Sequence, residues 1–275
     1  MTAAPTTPPT PTPAPPDREP WPEIDRLPAD TVLDIPADLG WYAAAKTALD
    51  YGFALAALPF ALVLIGLAAV AVKLSSPGPV FYTQTRVGLN GRKYQIIKIR
   101  SMRANVEATS GIQWSQKGDS RVTRVGKFLR ASHIDELPQL FNVLLGQMSL
   151  VGPRPERPEV IQAKGLNQLV PGYRHRLRVK PGVTGLAQIQ LPPDSDVTSV
   201  RYKVVYDLYY VENQSLLLDL RLLAATLVKA CKAGPNTLRL LFLLPGRRTV
   251  ARGFLANVAS PPAGAAPSSA VLQPA

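Results

Sequence analysis

Between Asp50 and Lys73 the chain carries YGFALAALPFALVLIGLAAVAV, an uncharged run of 22 residues. As a helix it would extend about 33 Å, enough to cross the hydrocarbon core of a bilayer. Any fold must therefore be arranged around a segment that water does not tolerate, and membrane attachment is the first expectation. The run follows an acidic leader, begins roughly fifty residues in, and lacks a short apolar region with a small-residue cleavage site, which argues against a signal peptide. Pro59 lies inside it, where it removes one backbone hydrogen bond and crowds the carbonyl four residues back, so a kink or break is expected near Leu58. Two arrangements are open: a kinked spanning helix, or a re-entrant helix that turns at Pro59 and returns to the same face. Lys73, Arg86, Arg92, Lys93, Lys98, Arg100 and Arg103 follow the run and place its C-terminal side in the cytoplasm.

The 275 residues suffice for one sizeable core with appendages. Residues 1–20 form a Pro/Thr/Ala run without periodicity and residues 259–275 an Ala/Pro/Ser tail, and both read as disordered. One cysteine, Cys231, excludes an intramolecular disulfide, and no Cys/His cluster has zinc-site spacing. The net charge of +12 is unevenly spread: residues 1–40 carry seven acids against Arg18 and Arg26, a balance of −5, which leaves +17 on the rest. A basic body of that size suits nucleic acid, an anionic membrane surface or phosphorylated substrates. The apolar run favours the last two over nucleic acid.

Beyond the run, Val80 to Val87 and Lys93 to Ile99 are rich in β-branched and aromatic residues, and Gly88, Asn90 and Gly91 supply turn chemistry, which predicts a β-hairpin. Lys98 and Arg100 share a face at period two, suited to phosphates. The segment SHIDELPQLFNVLLGQMSLVGPRP then places Asp135 and Glu136 side by side in a basic neighbourhood. Ser132 is expected to N-cap a helix with both acids in its first turn, and Leu137, Leu140, Phe141 and Leu144 would form its apolar stripe. On that reading the acids could simply complement the helix dipole. Against it, a carboxylate ringed by Arg and Lys keeps a low pKa and stays ionised, ready to bind a metal or attack phosphorus. Arg154, clamped between two prolines, would be costly without something to bind. Farther on, RVKPGVTGLAQIQ offers Lys180 and Gln188 around a glycine turn, and VRYKVVYDLYYVENQSLLLDLRLLAATLVKACK reads as two helices joined near Asn213. Asp207 in the first of them reads as a surface or tyrosine-paired acid, and NTLRLLFLLPGRR as a segment able to lie in a membrane interface.

PGPVFYTQTRVGLNG, IKIRSM, DELPQLFNVLLGQMSLVGPRP, KPGVTGLAQ and YDLYYVENQS, in that order between about Lys46 and Lys232, resemble the motifs of the bacterial sugar transferases called monotopic phosphoglycosyl transferases. The resemblance implies transfer of sugar 1-phosphate from a UDP-sugar to undecaprenyl (polyprenyl) phosphate, with release of UMP and with Mg²⁺ as cofactor, at the start of exopolysaccharide or lipid-linked glycan assembly. It makes Asp135 the nucleophile of a covalent phosphosugar intermediate. Glu136 becomes its partner in holding Mg²⁺ or acting as a base. Lys98, Arg100, Arg130, Arg154 and Lys180 are implied as phosphate-binding residues, with Gln188 and Asp207 on motif positions of less defined role. It also implies a re-entrant helix broken at Pro59, with the catalytic body facing the cytoplasm at the inner membrane. Three positions depart from the family pattern: Leu58 where a serine precedes the proline, His133 where a small hydroxyl residue is usual, and QLPPDSD after GLAQI.

The fold expected is thus α+β and mostly helical. It comprises a disordered acidic leader over 1–40, a membrane segment over 41–74 and a catalytic body with a small β-hairpin and interfacial helices over 75–235. A basic and apolar, possible interfacial segment over 236–258 and a disordered tail over 259–275 complete it. The alternative from another functional class is a membrane-tethered anion-binding protein without chemistry.

Overall fold

The apolar run lies in one helix, α2, Tyr42–Ser75, which continues through Pro59. The break expected near Leu58 is absent: the helix absorbs the single hydrogen bond that proline forfeits, and both flanks are rich in strong helix formers. The computed structural model describes residues 21–28, 30–33, 40–103, 119, 121–230 and 232–258. The Pro/Thr run before Trp21, Cys231 and the tail after Val258 lie outside the described residues, and so do the expectations placed on them.

Along α2, Ala54, Ala61, Ile65, Ala68 and Val72 form a buried stripe. Phe53, Leu55, Phe60, Leu62, Val63, Leu67 and Val70 are exposed on the other side. The stripe is mostly small residues, which lets the helix lie close against the body while its bulky apolar groups point away from it. Both ends of α2 are fastened. Near its start, Tyr42 Oη and Lys46 Nζ donate to Asp219 Oδ2 at 2.7 and 2.8 Å, and Asp50 Oδ1 accepts from Leu150 N at 3.0 Å. At its end, Arg100 donates to the carbonyls of Pro77 and Ser76 at 2.5 and 2.8 Å. The C-cap carbonyl of Ser76, which the helix terminus would leave unsatisfied, thereby gains a charged donor.

The predicted hairpin is present as β1, Phe81–Val87, and β2, Lys93–Ile99, antiparallel in the register Phe81↔Ile99 to Val87↔Lys93. Asn90 (φ 52°) and Gly91 (φ 78°) turn the chain between them. The helices that follow are α3, Arg124–Ala131, and α4, Gln139–Leu144. Gly126 of α3 rides directly on the segment leaving the hairpin, since a Cβ there would sit 1.9 Å from the Ser101 carbonyl oxygen. Fully buried Asn142 of α4 accepts from Ile97 N at 3.0 Å and donates to Gln95 O at 2.8 Å, satisfying the open edge of β2.

A second sheet pairs β3, Ser149–Val151, with β4, Gly182–Thr184, in parallel. Glycines permit the backbone contact beside it: a Cβ on Gly182 would approach Gly152 N to 2.1 Å, and one on Gly185 would approach Gly152 O to 2.2 Å. Between these strands run α5, Pro158–Ala163, α6, Leu166–Leu169, and a 3₁₀ turn, Tyr173–Arg178. After β4 come α7, Leu186–Gln190, α8, Val197–Glu212, and α9, Leu216–Ala230. α8 and α9 are the helix pair expected around Asn213. The start of α8 is fixed by a capping box in which Asp196 Oδ1 accepts from Ser199 N at 2.7 Å. Its Val200, Val204, Val205 and Leu208 are almost completely buried, each worth about 1.5–3 kcal/mol of burial.

Two further helices, α10, Pro235–Leu241, and α11, Arg247–Ala256, extend the body. The 236–258 segment is therefore not a separate interfacial unit throughout, because Val250, Ala251 and Phe254 of α11 are buried in the common core. Part of the acidic leader is folded as well, against the expectation of disorder over 1–40. A single turn, α1, Pro22–Asp25, buries Ile24. Trp21 N donates to Tyr202 Oη at 3.1 Å, and its ring meets the Tyr202 ring edge-on at 5.5 Å and the Arg247 guanidinium at 4.8 Å. Leu33 bridges Val258 and packs beside Gly172. Residues that precede α2 and residues that follow it thus share one core.

Candidate active site

Asp135 and Glu136 sit in a 3₁₀ turn, Ile134–Glu136, and not in the first turn of a long helix. Ser132 is the C-cap of α3, its Oγ donating to Phe128 O at 2.9 Å, where the sequence read as an N-cap. The chain then reverses through exposed His133 at φ 57°, and Pro138 opens α4. Proline at position 138 moves the start of the second helix past the acids, which leaves them on a connection between two packed helices. A left-handed histidine costs roughly 1–2 kcal/mol, and strain of that kind collects at functional turns.

The two carboxylates have opposite surroundings. Glu136 Oε1 takes both Lys98 Nζ at 2.6 Å and Arg154 Nη2 at 2.8 Å. Burial alone would raise its pKa, but Arg154 and Lys98 outweigh burial and hold it well below the usual range. Asp135 is 8% exposed and accepts no hydrogen bond from the described residues. Burial, and then the negative charge of Glu136, push it up to about 6 against the pull of Lys98, Arg130 and Arg154. The expectation of a low, well-neutralised carboxylate is therefore met by Glu136 and reversed for Asp135, because the cations converge on one acid of the pair.

Lys98, Arg130 and Arg154 all face this pair electrostatically. Arg130 also donates Nε to Ser101 Oγ at 2.8 Å, which fixes α3 to the hairpin exit. Arg154 has its reason for lying between two prolines: its side chain holds Glu136 while its carbonyl accepts Arg176 Nη2 at 2.8 Å. Lys180 lies half-buried beside Gly146, and its carbonyl backs Gly152. Three expected site residues are placed elsewhere. Arg100 leaves the phosphate face proposed for it and clips the end of α2, because β2 ends at Ile99 and the period-two alternation ends with it. Gln188 Nε2 donates to Val183 O at 2.9 Å and braces the β4–α7 turn. Asp207 is not on the surface: it is buried and pairs with Arg176 Nη2 at 2.6 Å.

That ion pair belongs to a buried charge network that sequence reasoning missed. Arg86 Nη1 donates to Pro155 O at 3.0 Å, Val87 N donates to Glu156 O at 3.0 Å, and Lys203 lies 3.8 Å from Glu156 and pairs with Asp194. The Gly152–Glu156 loop is therefore gripped from the hairpin by Arg86 and from α8 through Lys203, Asp207 and Arg176. Lys203 and Asp207 stand four residues apart, on one buried face of a helix built mostly of Val, Leu and Tyr. Such an i, i+4 charge pair inside an apolar helix is the signal that would have marked them.

The model of the bacterial sugar transferase family matches residues 41–233, which contain every residue of this cluster. The chain belongs to that family. It is 44% identical over 186 residues to the UDP-N-acetylgalactosamine-undecaprenyl-phosphate N-acetylgalactosaminephosphotransferase of Aeromonas hydrophila, covering 68% of this chain and 43% of that protein. With the UDP-glucose:undecaprenyl-phosphate glucose-1-phosphate transferase of Xanthomonas campestris pv. campestris it shares 42% identity over 191 residues, 69% of this chain and 39% of that one. The exopolysaccharide production protein PSS of Rhizobium leguminosarum bv. phaseoli is 41% identical over 193 residues, and there the match covers 96% of the relative. The chain thus spans about two fifths of the first two relatives and nearly all of the third. The described leader residues 21–28 and 30–33 and helices α10 and α11 fall outside the matched region.

Proposed function

We propose that the chain transfers a sugar 1-phosphate from a UDP-sugar to a polyprenyl phosphate such as undecaprenyl phosphate, at the start of exopolysaccharide or lipid-linked glycan assembly. The observation that carries this reading is the unequal carboxylate pair: a buried Asp135 left without donors beside a Glu136 held by Lys98 and Arg154. A carboxylate whose charge is poorly stabilised gains by giving that charge to a bond, which is what a nucleophile does. Asp135 Oδ attacks the β-phosphorus of the donor. The bond from that phosphorus to the bridging oxygen breaks, its electron pair leaves with UMP, and an aspartyl phosphosugar remains. An oxygen of the polyprenyl phosphate then attacks the same phosphorus, and the bond to Asp135 breaks to restore the carboxylate. Arg154, Arg130, Lys98 and Lys180 supply positive charge to the diphosphate, and the buried network behind Arg154 keeps that side chain in place.

Mg²⁺ takes one or two carboxylates and completes its shell with water and phosphate oxygens. The Asp135–Glu136 pair fits that number, and among the described residues no cluster of three or more His, Cys, Asp or Glu competes with it. The two acids would hold the ion, which would offset charge on the donor diphosphate. Replacing Asp135 by Asn should abolish covalent labelling by a donor carrying radioactivity in its sugar, and with it UMP release; UMP release at the wild-type rate would sink the nucleophile assignment.

The shared core supports a monotopic membrane arrangement. Trp21 and Ile24, which precede α2, are buried against α8 and α11, which follow it. A spanning α2 would put those partners on opposite sides of the bilayer, so we read the chain as monotopic, with α2 presenting its apolar face to lipid and both ends cytoplasmic at the inner membrane. A cysteine at exposed Asp30, in a Cys231→Ser background, should resist an impermeant maleimide in intact spheroplasts and react after permeabilisation. Reaction before permeabilisation overturns the topology.

A further inference from the structure

Helix α10 lies outside the region that matches the family, and its last turn is apolar and faces outward. Leu238 points into the core, whereas Leu240, Leu241 and Leu243 are 70%, 61% and 72% exposed. The backbone around Leu243 is unusual. Leu244 N bonds Arg239 O at 3.0 Å and Leu243 N bonds Leu240 O at 3.4 Å, the double closure of a helix end whose left-handed position glycine normally fills. Leucine occupies it here at φ 50°. An exposed leucine in a conformation that disfavours side chains gives the folded body nothing, so its use lies in something outside the body.

The neighbouring surface indicates what that is. Leu217, Leu220 and Leu227 are exposed along α9. The first two flank Asp219, which holds Tyr42 and Lys46 at the start of α2, and the last lies one turn from the end of α9, just before α10. Exposed leucines therefore recur along α9, from the turn that fastens the start of α2 to the leucines of α10. Arg221, Lys232 and Arg239 accompany these leucines along the chain, the sign that suits anionic headgroups.

We propose that Leu240, Leu241 and Leu243 are a second membrane contact, seated in the headgroup and acyl boundary of the same leaflet that α2 enters. This rests on the monotopic reading above and adds to it a fixed roll of the body: a long helix alone leaves the body free to swing, whereas a contact at the far end of α9 does not.

The test uses the full chain in nanodiscs of phosphatidylethanolamine and phosphatidylglycerol, with an environment-sensitive dye on a single cysteine in a Cys231→Ser background. Dye at Leu241→Cys should be quenched at least twofold by brominated acyl chains. Dye at Leu62→Cys on α2 should be quenched too, and dye at exposed Asn167→Cys should not. Quenching at position 62 without quenching at 241 overturns this proposal and spares the monotopic reading, whereas quenching at neither removes both. A dimer that Leu241→Asp converts to monomer, with no quenching at 241, assigns the face to a second copy and also overturns it. Leu243→Gly separates the two roles of that position: thermal stability in detergent should rise as the left-handed strain is relieved, while quenching at 241 falls. A fall in stability would show that Leu243 serves the body and would count against the proposal.

Discussion

Two buried carboxylates in different parts of the fold are treated in opposite ways. Asp219, at the junction of α2, α8 and α9, is fully buried and receives Tyr42 Oη, Lys46 Nζ and Tyr210 Oη within 2.8 Å. Asp135, in the turn between α3 and α4, is nearly as buried and receives no donor from the described residues, while the cations beside it are committed to Glu136. A carboxylate surrounded by donors holds elements together. One left bare costs the fold stability and is retained for chemistry.

The largest effect should come from breaking the satisfied site. Asp219→Ala leaves Lys46 and the Tyr42 hydroxyl buried without an acceptor and leaves Tyr210 only its longer bond to Val151 O at 3.1 Å, a loss of about 3–5 kcal/mol. Thermal unfolding in detergent should show it, with protease cleavage near the start of α2. An unchanged midpoint would mean that the junction is solvated and that the contrast with Asp135 is one of degree only.

The bare site predicts the opposite sign. Asp135 has a folded pKa of about 6, above its ordinary 3.8. An acid raised in this way favours folding below its unfolded value and loses that contribution as pH rises through the folded value. Near pH 7.5 its ionised form therefore costs roughly 1–3 kcal/mol. Asp135→Asn should raise the unfolding midpoint at pH 7.5 while abolishing covalent labelling, and the gain should shrink toward pH 4. A lowered midpoint would show that Asp135 is satisfied in solution.

How much of this contrast could be read in advance depended on the range of the signal. The apolar run, the hairpin over Phe81–Ile99 and the helix pair around Asn213 announce themselves within a few residues, through composition, alternation and turn chemistry. The adjacent acids and Arg154 were visible too. What local pattern could not supply was pairing. Which of two neighbouring acids collects Lys98 and Arg154 depends on how β2 and the Gly152–Glu156 loop converge from 38 and 18 residues away. Asp207 could not be told from a surface acid until Arg176 was beside it, nor Trp21 from leader sequence until Tyr202 and Arg247 were. Ser132 misled because a hydroxyl before acidic residues fits an N-cap, whereas it closes α3 as the C-cap, its Oγ bonded back to Phe128 O.

A smaller effect should appear in the pH profile of the first half-reaction. The attacking form of Asp135 is the anion, so kcat/KM for donor labelling should fall on the acid side with an apparent pKa near 6 and then about tenfold per pH unit. A limb near 4 would mean that Asp135 is stabilised as an anion after all.

The least disruptive change tests whether the two acids act on each other. Glu136 raises the Asp135 pKa by its negative charge. Glu136→Gln removes that charge and leaves Lys98 and Arg154 without their nearest anion, so both changes pull Asp135 down. The variant will label slowly, since it disturbs the cations that meet the diphosphate. Its residual rate, followed against pH, should nevertheless have its acid limb moved to lower pH. A limb that stays in place would separate the two carboxylates electrostatically and leave burial as the whole cause of the Asp135 shift, while a limb that moves upward would contradict the downward pull of Lys98 and Arg154 on Asp135.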